Sequence, residues 1–247
     1  MASIRQVEEL SINAWASLQT LVYNGWLIRF SDGYTKRANS VNPIYGSDED
    51  LDSKIRYCES LFDARNLTTV FKMTDSVFPD TLDCTLDNRG YMAIDHTSVQ
   101  LLSVSELRKP SIYSVKLDES LTDDWLNQFC RLNNQDANQT TMKQVLSLII
   151  PQTCFISLLD HDEVVACGLG VLERGYLGVF DIVTDARYRN RGFGEQLMLN
   201  FLKWGKDNGA EHAYLQVMLN NVPALRLYSK LGFQESYRYW YRVKAKG

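Results

Sequence analysis

The sequence has few cysteines and histidines and no excess of positive charge, and each shortage argues against a class of protein. The five cysteines are odd in number and no two have Cys-x-x-Cys spacing, which argues against a zinc site or a disulfide framework. His96, His161 and His212 lie far apart in the chain, so we expect no metal centre. The formal net charge of −4 argues against a protein that binds nucleic acid.

Long apolar segments are also absent. No run approaches the ~20 residues that a membrane helix needs, and the opening stretch MASIRQVEEL lacks the apolar core of a secretory signal. Together with the unpaired cysteines, these absences indicate a cytoplasmic protein that does not associate with a membrane. The sequence leaves the choice between a monomer and a homodimer open.

What is present, in the second half of the chain, is an alternation of strand-like and helix-like segments. Alternating or continuous apolar runs predict strands, whereas apolar residues at 3.6-residue spacing predict helices. The predicted strands cover 111–118, 153–160, 164–173, 176–183, 213–219 and 233–244, the last as one strand or a pair. The predicted helices cover 122–132, 140–149, 195–209 and 223–232.

A glycine-containing loop follows the strand at 176–183 and leads into a helix. It reads RYRNRGFGEQ, and Gly192 and Gly194 remove side chains where a backbone must approach a ligand. The helix that follows presents free N–H groups and a positive dipole end, which suits a phosphate. Arg189 and Arg191 add positive charge. A tight turn with solvated arginines is the alternative, and the loop by itself leaves both open.

Two motifs decide in favour of a ligand. Residues 189–194, RNRGFG, fit the pattern of Gln or Arg, two residues, Gly, one residue, and Gly or Ala. Residues 221–233, NVPALRLYSKLGF, fit N-x-x-A-x-x-L-Y-x-K-x-G-F. In order and spacing they resemble the motifs of the GNAT N-acetyltransferase superfamily over residues 111–247. The resemblance implies an α/β fold with a mixed sheet, splayed between its fourth and fifth strands to bind acetyl-CoA.

The resemblance also implies a role for each matching residue. The backbone of Ile182, Val183 and Thr184 would pair with the pantetheine arm, which Asn221 would also contact. The residues expected at the pyrophosphate are Arg189, Arg191, Gly192, Phe193, Gly194 and Glu195. Tyr228 would bind beside the thioester sulfur and protonate the leaving thiolate as a general acid. A core tyrosine with no chemical role is the alternative.

The implied reaction moves an acetyl group from acetyl-CoA to a primary amine of a small molecule or peptide. The neutral amine attacks the thioester, and a tetrahedral intermediate collapses to the amide. Asp181 is a candidate base, because it lies two residues before Val183 and a regular strand would place both on one face. The alternative is an aspartate at a strand edge or loop end that takes no part in the reaction. The rival function is a non-catalytic sensor or interaction module that binds acyl-CoA.

Residues 1–110 carry strand and helix signals of their own, so we predict domains at 1–110 and 111–247. A strand–turn–strand with Asp32-Gly33 at its turn precedes further predicted elements. These are a helix at 51–66, a strand at 67–74 and a short helix within 78–91. A constant offset of 142 residues aligns Val41 with Val183 and Gly90 with Gly232. The first domain is therefore predicted to be a second, GNAT-like unit.

This first unit lacks the residues for the chemistry. The offset places residues 47–52, SDEDLD, on the phosphate loop, where four acids would repel a pyrophosphate. Leu86 stands where Tyr228 does. We therefore predict a degenerate copy that binds no CoA and serves as a scaffold or shapes the acceptor side.

Two polar features of the chain allow a second interpretation. Trp26, Arg37 and Asn39 could line an acceptor pocket, although satisfied turn residues are the plainer interpretation. The segment SYRYWYR at 236–242 places three tyrosines on one strand face, with Arg238 and Arg242 on the other. We expect the tyrosines to pack on the core and the arginines to be solvated. The alternative is that either face lines the acceptor site.

Overall fold

The computed structural model describes residues 2–46, 48–112, 114–133 and 138–244. The chain divides into two compact units, Met1–Ser98 with Tyr237–Gly247, and Val99–Ser236. The division differs from the boundary expected at residue 110. The final strand returns to the first unit because its residues pair with a strand there, Tyr239 with Thr74 and Val243 with Val70.

The first unit begins with a helix and a strand that the sequence interpretation did not include. Its elements are α1 (Ile4–Ala14), β1 (Gln19–Tyr23), β2 (Trp26–Phe30), β3 (Val41–Pro43), α2 (Leu51–Asp63), β4 (Val70–Thr74) and α3 (Leu82–Asn88). The helical spacing of the buried residues Val7, Leu10 and Ala14 could have identified α1. Asn24 and Gly25 both have positive φ, which suits the tight turn between β1 and β2.

Strand β5 (Tyr91–Ser103) runs from the first unit into the second. The further elements are β6 (Val115–Asp118), α4 (Asp123–Asn133), α5 (Gln139–Ser147), β7 (Gln152–Asp160), β8 (Glu163–Glu173), β9 (Tyr176–Thr184), α6 (Phe193–Asp207), β10 (His212–Met218), α7 (Val222–Leu231) and β11 (Gln234–Lys244). All the elements predicted for this half are present, and β11 is one long strand.

Each unit has helices against a sheet of mixed strand direction, as the predicted α/β class requires. In the first unit the strand order is β1-β2-β3-β4-β11, with only β3 and β4 parallel. In the second it is β5-β10-β9-β8-β7-β6. There β6 to β9 form an antiparallel meander, whereas β9 and β10 are parallel.

Close packing of α6 on β8 positions the loop before that helix. A Cβ atom at Gly170 would lie 3.0 Å from the Phe201 ring, and one at Gly168 would lie 3.1 Å from it. Both glycines therefore make room for Phe201, which is fully buried beside Leu197. The helix sits deep against the sheet, and its first turn reaches the end of β9.

Residues 2–46, 48–112, 114–133 and 138–244 contain no helix long and apolar enough to cross a membrane. The same residues contain no group of three or more His, Cys, Asp or Glu side chains placed to hold a metal ion. All five cysteines are free thiols, and only Cys84 among them is exposed.

Candidate functional site

The second unit has a fork between β9 and β10. Their parallel pairing runs from Tyr176–His212 to Val179–Leu215 and ends there. Strand β9 continues to Thr184 and β10 to Met218, so the two strands are unpaired with each other beyond that point. They are the fourth and fifth strands counted from β6, where the splay was expected. The fork leaves room for an extended ligand.

A β-bulge shapes the β9 side of the fork. Cys167 pairs with Val183 and Leu169 pairs with Phe180, so Asp181 and Ile182 together face Gly168. Asp181 has a φ of 51°, which is unusual for a residue with a side chain. The expectation that Asp181 and Val183 share one face assumes a regular strand. That argument is wrong, because the extra residue breaks the alternation. The role of Asp181 as a base stays a prediction.

The glycine loop lies against the end of β9. Gly192 has a φ of 86° and caps α6, and Gln196 N–H donates the first helical bond to its carbonyl at 3.0 Å. The N–H groups of Phe193, Gly194 and Glu195 therefore precede the helical ladder. A Cβ atom at Gly194 would lie 3.4 Å from Thr184 Oγ1. The structure thus brings the predicted pyrophosphate and pantetheine segments together.

The three arginines of the loop have different surroundings. Arg187 binds Asp185 and Glu163, and its hydrogen bond to Asp185 lowers the pKa of that carboxyl to about 2. Arg191 lies over the Tyr188 ring at 4.9 Å, and its Nη2 lies 3.8 Å from Asp160 Oδ2. Arg189 is exposed and, within the described part of the chain, has no carboxylate partner within 4.0 Å. Arg189 therefore keeps its charge available for an anion, whereas Arg191 shares its charge with Asp160 and stays exposed.

Glu195, in the first turn of α6, is already engaged by two cations. Its carboxylate lies 2.9 Å from Arg108 Nη2 and accepts a hydrogen bond from Lys230 Nζ. The Lys230 bond is the largest cause of the lowered pKa of Glu195. The sequence interpretation missed both cations. Lys230 belongs to the second motif, but no sequence signal indicated Arg108.

Tyr228 is buried in α7 beside the loop. It is 7% exposed and packs edge-on against Phe233 with 6.0 Å between ring centroids. Its neighbour Leu227 lies 3.5 Å from the position of a Cβ atom on Gly194. Burial raises the pKa of the Tyr228 phenol to about 12, so it stays protonated near neutral pH. None of the described residues forms a hydrogen bond with its hydroxyl.

Asn221 caps the helix that carries Tyr228. Its Oδ1 accepts a hydrogen bond from the Ala224 N–H at 3.3 Å. The side chain is exposed at the start of α7. Its contact with pantetheine stays a prediction.

The start of α2 in the first unit differs from the start of α6 in the second. Strands β3 and β4 pair in parallel at Val41–Phe71. The helix that follows, α2, has its first turn capped by Asp50, which accepts from Ser53 N–H at 2.8 Å. Asp52 binds Arg89, and Glu49 accepts from the Tyr23 hydroxyl. Asp50 therefore satisfies one N–H group of the helix start from within the protein, and the other two acids bind side chains.

The residues of the candidate acceptor pocket make contacts that stabilise the first unit. Asn39 Oδ1 accepts from the N–H groups of Ser31 and Gly33, and its amide donates to Thr35. Arg37 stacks on Trp15 at 4.3 Å. Trp26 is fully buried. The turn interpretation therefore accounts for these residues.

The aromatic strand β11 agrees with the expectation on its tyrosine face but not at Arg242 on the other face. Tyr237, Tyr239 and Tyr241 are all buried. The expectation of solvated arginines is wrong for Arg242, which is buried and bound to two carboxylates of α3, those of Asp83 and Asp87.

A family model described as "Probable histone acetyltransferase Rv0428c C-terminal" matches residues 1–242. The chain is 29% identical to "Uncharacterized N-acetyltransferase YobR" of Bacillus subtilis, over 99% of this chain and 100% of that one. It is 27% identical to "N-alpha-acetyltransferase 30" of Schizosaccharomyces pombe, over 47% of this chain and 84% of that protein.

Solved structures share the fold at low sequence identity. A GCN5-related N-acetyltransferase from Kribbella flavida superposes with a TM-score of 0.76 and 14% identity, covering 100% of this chain and 97% of its own. A tandem GNAT protein from the clavulanic acid biosynthesis pathway superposes with a TM-score of 0.66 and 12% identity, covering 98% of this chain and 89% of its own. With the family match over nearly the whole chain, the protein belongs to the Rv0428c C-terminal family of GNAT N-acetyltransferases and is an acyl-CoA-dependent N-acyltransferase.

Proposed function

We propose that the second unit binds acetyl-CoA in the fork between β9 and β10 and transfers its acetyl group to a primary amine. The observation that carries this proposal is the meeting of three features in one place. The parallel ladder ends at Val179–Leu215, the uncapped N–H groups of α6 lie beside Thr184, and Tyr228 is buried next to Leu227. Together they match a thioester with an extended arm and a phosphate.

The residues present fit such a ligand. Beyond Val179 the backbone of β9 no longer pairs with β10, so residues 182–184 can pair with the amides of a pantetheine arm. The loop is open at Gly192, where a Cβ atom would have no neighbour within 4 Å, and three helical N–H groups follow it. Arg189 and Arg191 supply positive charge for the pyrophosphate.

Tyr228 suits the role of proton donor in this arrangement. Attack of a neutral amine on the thioester releases a thiolate, which must gain a proton. The phenol holds its proton because burial raises its pKa to about 12, and it forms no hydrogen bond within the described part of the chain. We infer that it donates to the departing sulfur. Asp181, in the bulge, stays our candidate for taking the proton from the amine.

For the acceptor we propose the α-amino group of a peptide or protein. The support is the relative named N-alpha-acetyltransferase 30, whose name specifies an α-amino acceptor and whose similarity covers 84% of its own length. A small-molecule amine is the alternative. The first unit then serves as a scaffold, because Asp50 caps the start of α2 and Leu86 stands at the position that the offset aligns with Tyr228.

The test is calorimetric titration with acetyl-CoA, followed by mass spectrometry of peptides with free amino termini. We expect binding by the native chain, loss of binding in Gly192→Asp/Gly194→Asp, and acetylation at the peptide amino terminus. Gly209→Asp is the control, because Gly209 also has positive φ and open surroundings but lies at the far end of α6. Absence of binding by the native chain would exclude the proposal.

A further inference from the structure

We propose that Lys230 and Arg108, held together by Glu195, bind the 3′-phosphate of the CoA ribose and thereby make the enzyme select CoA over its dephospho form. This inference rests on the proposed acetyl-CoA site. It assigns a specificity role to two cations that lie outside the glycine loop. Lys230 comes from α7, and Arg108 comes from the segment between β5 and β6.

The arrangement exposes the cations and encloses the acid. The Glu195 side chain is 14% exposed, whereas those of Lys230 and Arg108 are 61% and 55% exposed. One carboxylate between two cations leaves a local net charge of +1. Because an ammonium has three N–H donors and a guanidinium five, most of their donors remain for a ligand. Among the described residues neither cation has another partner.

The position suits a phosphate that is separate from the pyrophosphate. Glu195 is one residue beyond Gly194, so the cations lie beside the first turn of α6 and not within the loop. Leu227 packs near Gly194, and Lys230, three residues later, lies on the same face of α7. Arg226 lies four residues before Lys230 on this face, is exposed and has no ion pair within the described residues.

Glu195 explains why the cations converge here. An unpaired carboxylate beside the helix start would oppose any phosphate by like-charge repulsion. With two cations bound, the carboxylate instead orients them and fixes the distance between them. Its lowered pKa keeps it ionised at neutral pH, so the pair stays assembled. Glu195 is therefore a positioning residue for the phosphate, and the cations are the groups that touch it.

The test compares CoA with 3′-dephospho-CoA by calorimetric titration. Loss of one exposed charge-assisted contact corresponds to roughly a fivefold to tenfold weakening. We expect Lys230→Met and Arg108→Met to weaken CoA by about that factor and to leave dephospho-CoA within about twofold. Lys230→Arg should keep the preference for CoA. Lys143→Met is the matched control, since Lys143 is an exposed lysine that binds Asp123 in α4.

The outcomes separate this inference from the proposed function. Equal affinity of the native chain for CoA and dephospho-CoA overturns the inference alone. Equal weakening of both ligands by Lys230→Met also overturns it, since that result indicates the pyrophosphate or the fold. Absence of any CoA binding overturns both proposals. Raising the salt concentration should reduce the preference for CoA in the native chain and change it little in Lys230→Met.

Discussion

Val179 and Leu215 form the last pair of the parallel ladder between β9 and β10. Nearby, β9 bulges at Asp181 and Ile182 opposite Gly168. The two features act together. The ladder with β10 ends on one side of β9, and the bulge changes the direction of the β9 backbone on the side of β8. As a result, Thr184 at the end of β9 lies toward the start of α6.

Gly192 and Gly194 should respond differently to alanine. Gly192→Ala forces a side chain into φ 86° and should cost about 1–2 kcal/mol of stability. We expect weaker acetyl-CoA binding as well, because the strained residue caps the helix. Gly194→Ala meets only ordinary contacts at 3.4 and 3.5 Å and should leave folding unchanged. Thermal unfolding and calorimetric titration measure the two effects.

Gly209→Ala provides the control for strain at Gly192. Gly209 has a φ of 92°, open surroundings and a place at the opposite end of α6. It should lose similar stability and bind acetyl-CoA normally. If Gly209→Ala lost binding to the same extent as Gly192→Ala, binding would depend on helix stability and not on the loop.

Tyr228→Phe should separate binding from catalysis. Removing a general acid costs about 10²–10⁴-fold in rate, and we expect kcat to fall within that range while the Kd for acetyl-CoA stays the same. Tyr237→Phe is the matched control, because Tyr237 is a buried tyrosine whose hydroxyl donates to Glu8 in the first unit. An unchanged kcat in Tyr228→Phe would assign Tyr228 to the core.

The pH profile gives an independent check on Tyr228. Its pKa is raised to about 12 by burial, so the phenol stays protonated across the range from pH 7 to pH 10. Between pH 7 and pH 10 the native rate should rise as the acceptor amine loses its proton, with no falling limb from Tyr228. A decline that begins near pH 9 and disappears in Tyr228→Phe would contradict the raised pKa.

Lys72 and Glu8 form a buried ion pair in the first unit, at 2.6 Å and 6% exposure of each side chain. Removing one partner leaves an unpaired buried charge, which costs about 3–5 kcal/mol. We expect Lys72→Met to lose stability in that range by urea unfolding. The double variant Lys72→Met/Glu8→Gln should recover part of the loss, since no charge is left unpaired. A loss below about 0.5 kcal/mol in Lys72→Met, the level of an ordinary surface substitution, would contradict a stabilising role for the ion pair.

Asp185 should stabilise the loop in a pH-dependent way. Arg187 lowers the pKa of Asp185 from 3.8 to about 2, so the folded state favours the ionised form. The stabilisation is complete above pH 3.8 and is lost as the pH falls toward 2. The difference in Tm between the native chain and Asp185→Asn should therefore shrink below pH 4. A difference that stays constant from pH 7 to pH 3 would contradict the ion pair.

Part of the fold and of the site was predictable from local patterns. The helical spacing in 195–209 and 122–132 and the turn residues between β7, β8 and β9 predicted those elements. The glycine motif predicted a helix directly after the loop, from residue 195, and α6 begins two residues earlier, at Phe193. Helix α1, strand β1 and strand β5 were missed. The spacing of Val7, Leu10 and Ala14 carries a helical signal for α1, but β1 is exposed along most of its length. Strand β5 buries polar residues, Thr97, Ser98 and Gln100, which an apolar pattern does not mark.

The sequence by itself determined the elements of the second unit, the order of its strands along the chain and the family. These depend on local periodicity and on motifs whose residues are close in the chain. Only the tertiary structure decided where the parallel ladder ends, that Asp181 sits in a bulge, and that Glu195 binds Arg108 and Lys230. Those relationships join residues that are far apart in the chain or depend on strand register, and packing of distant segments sets both.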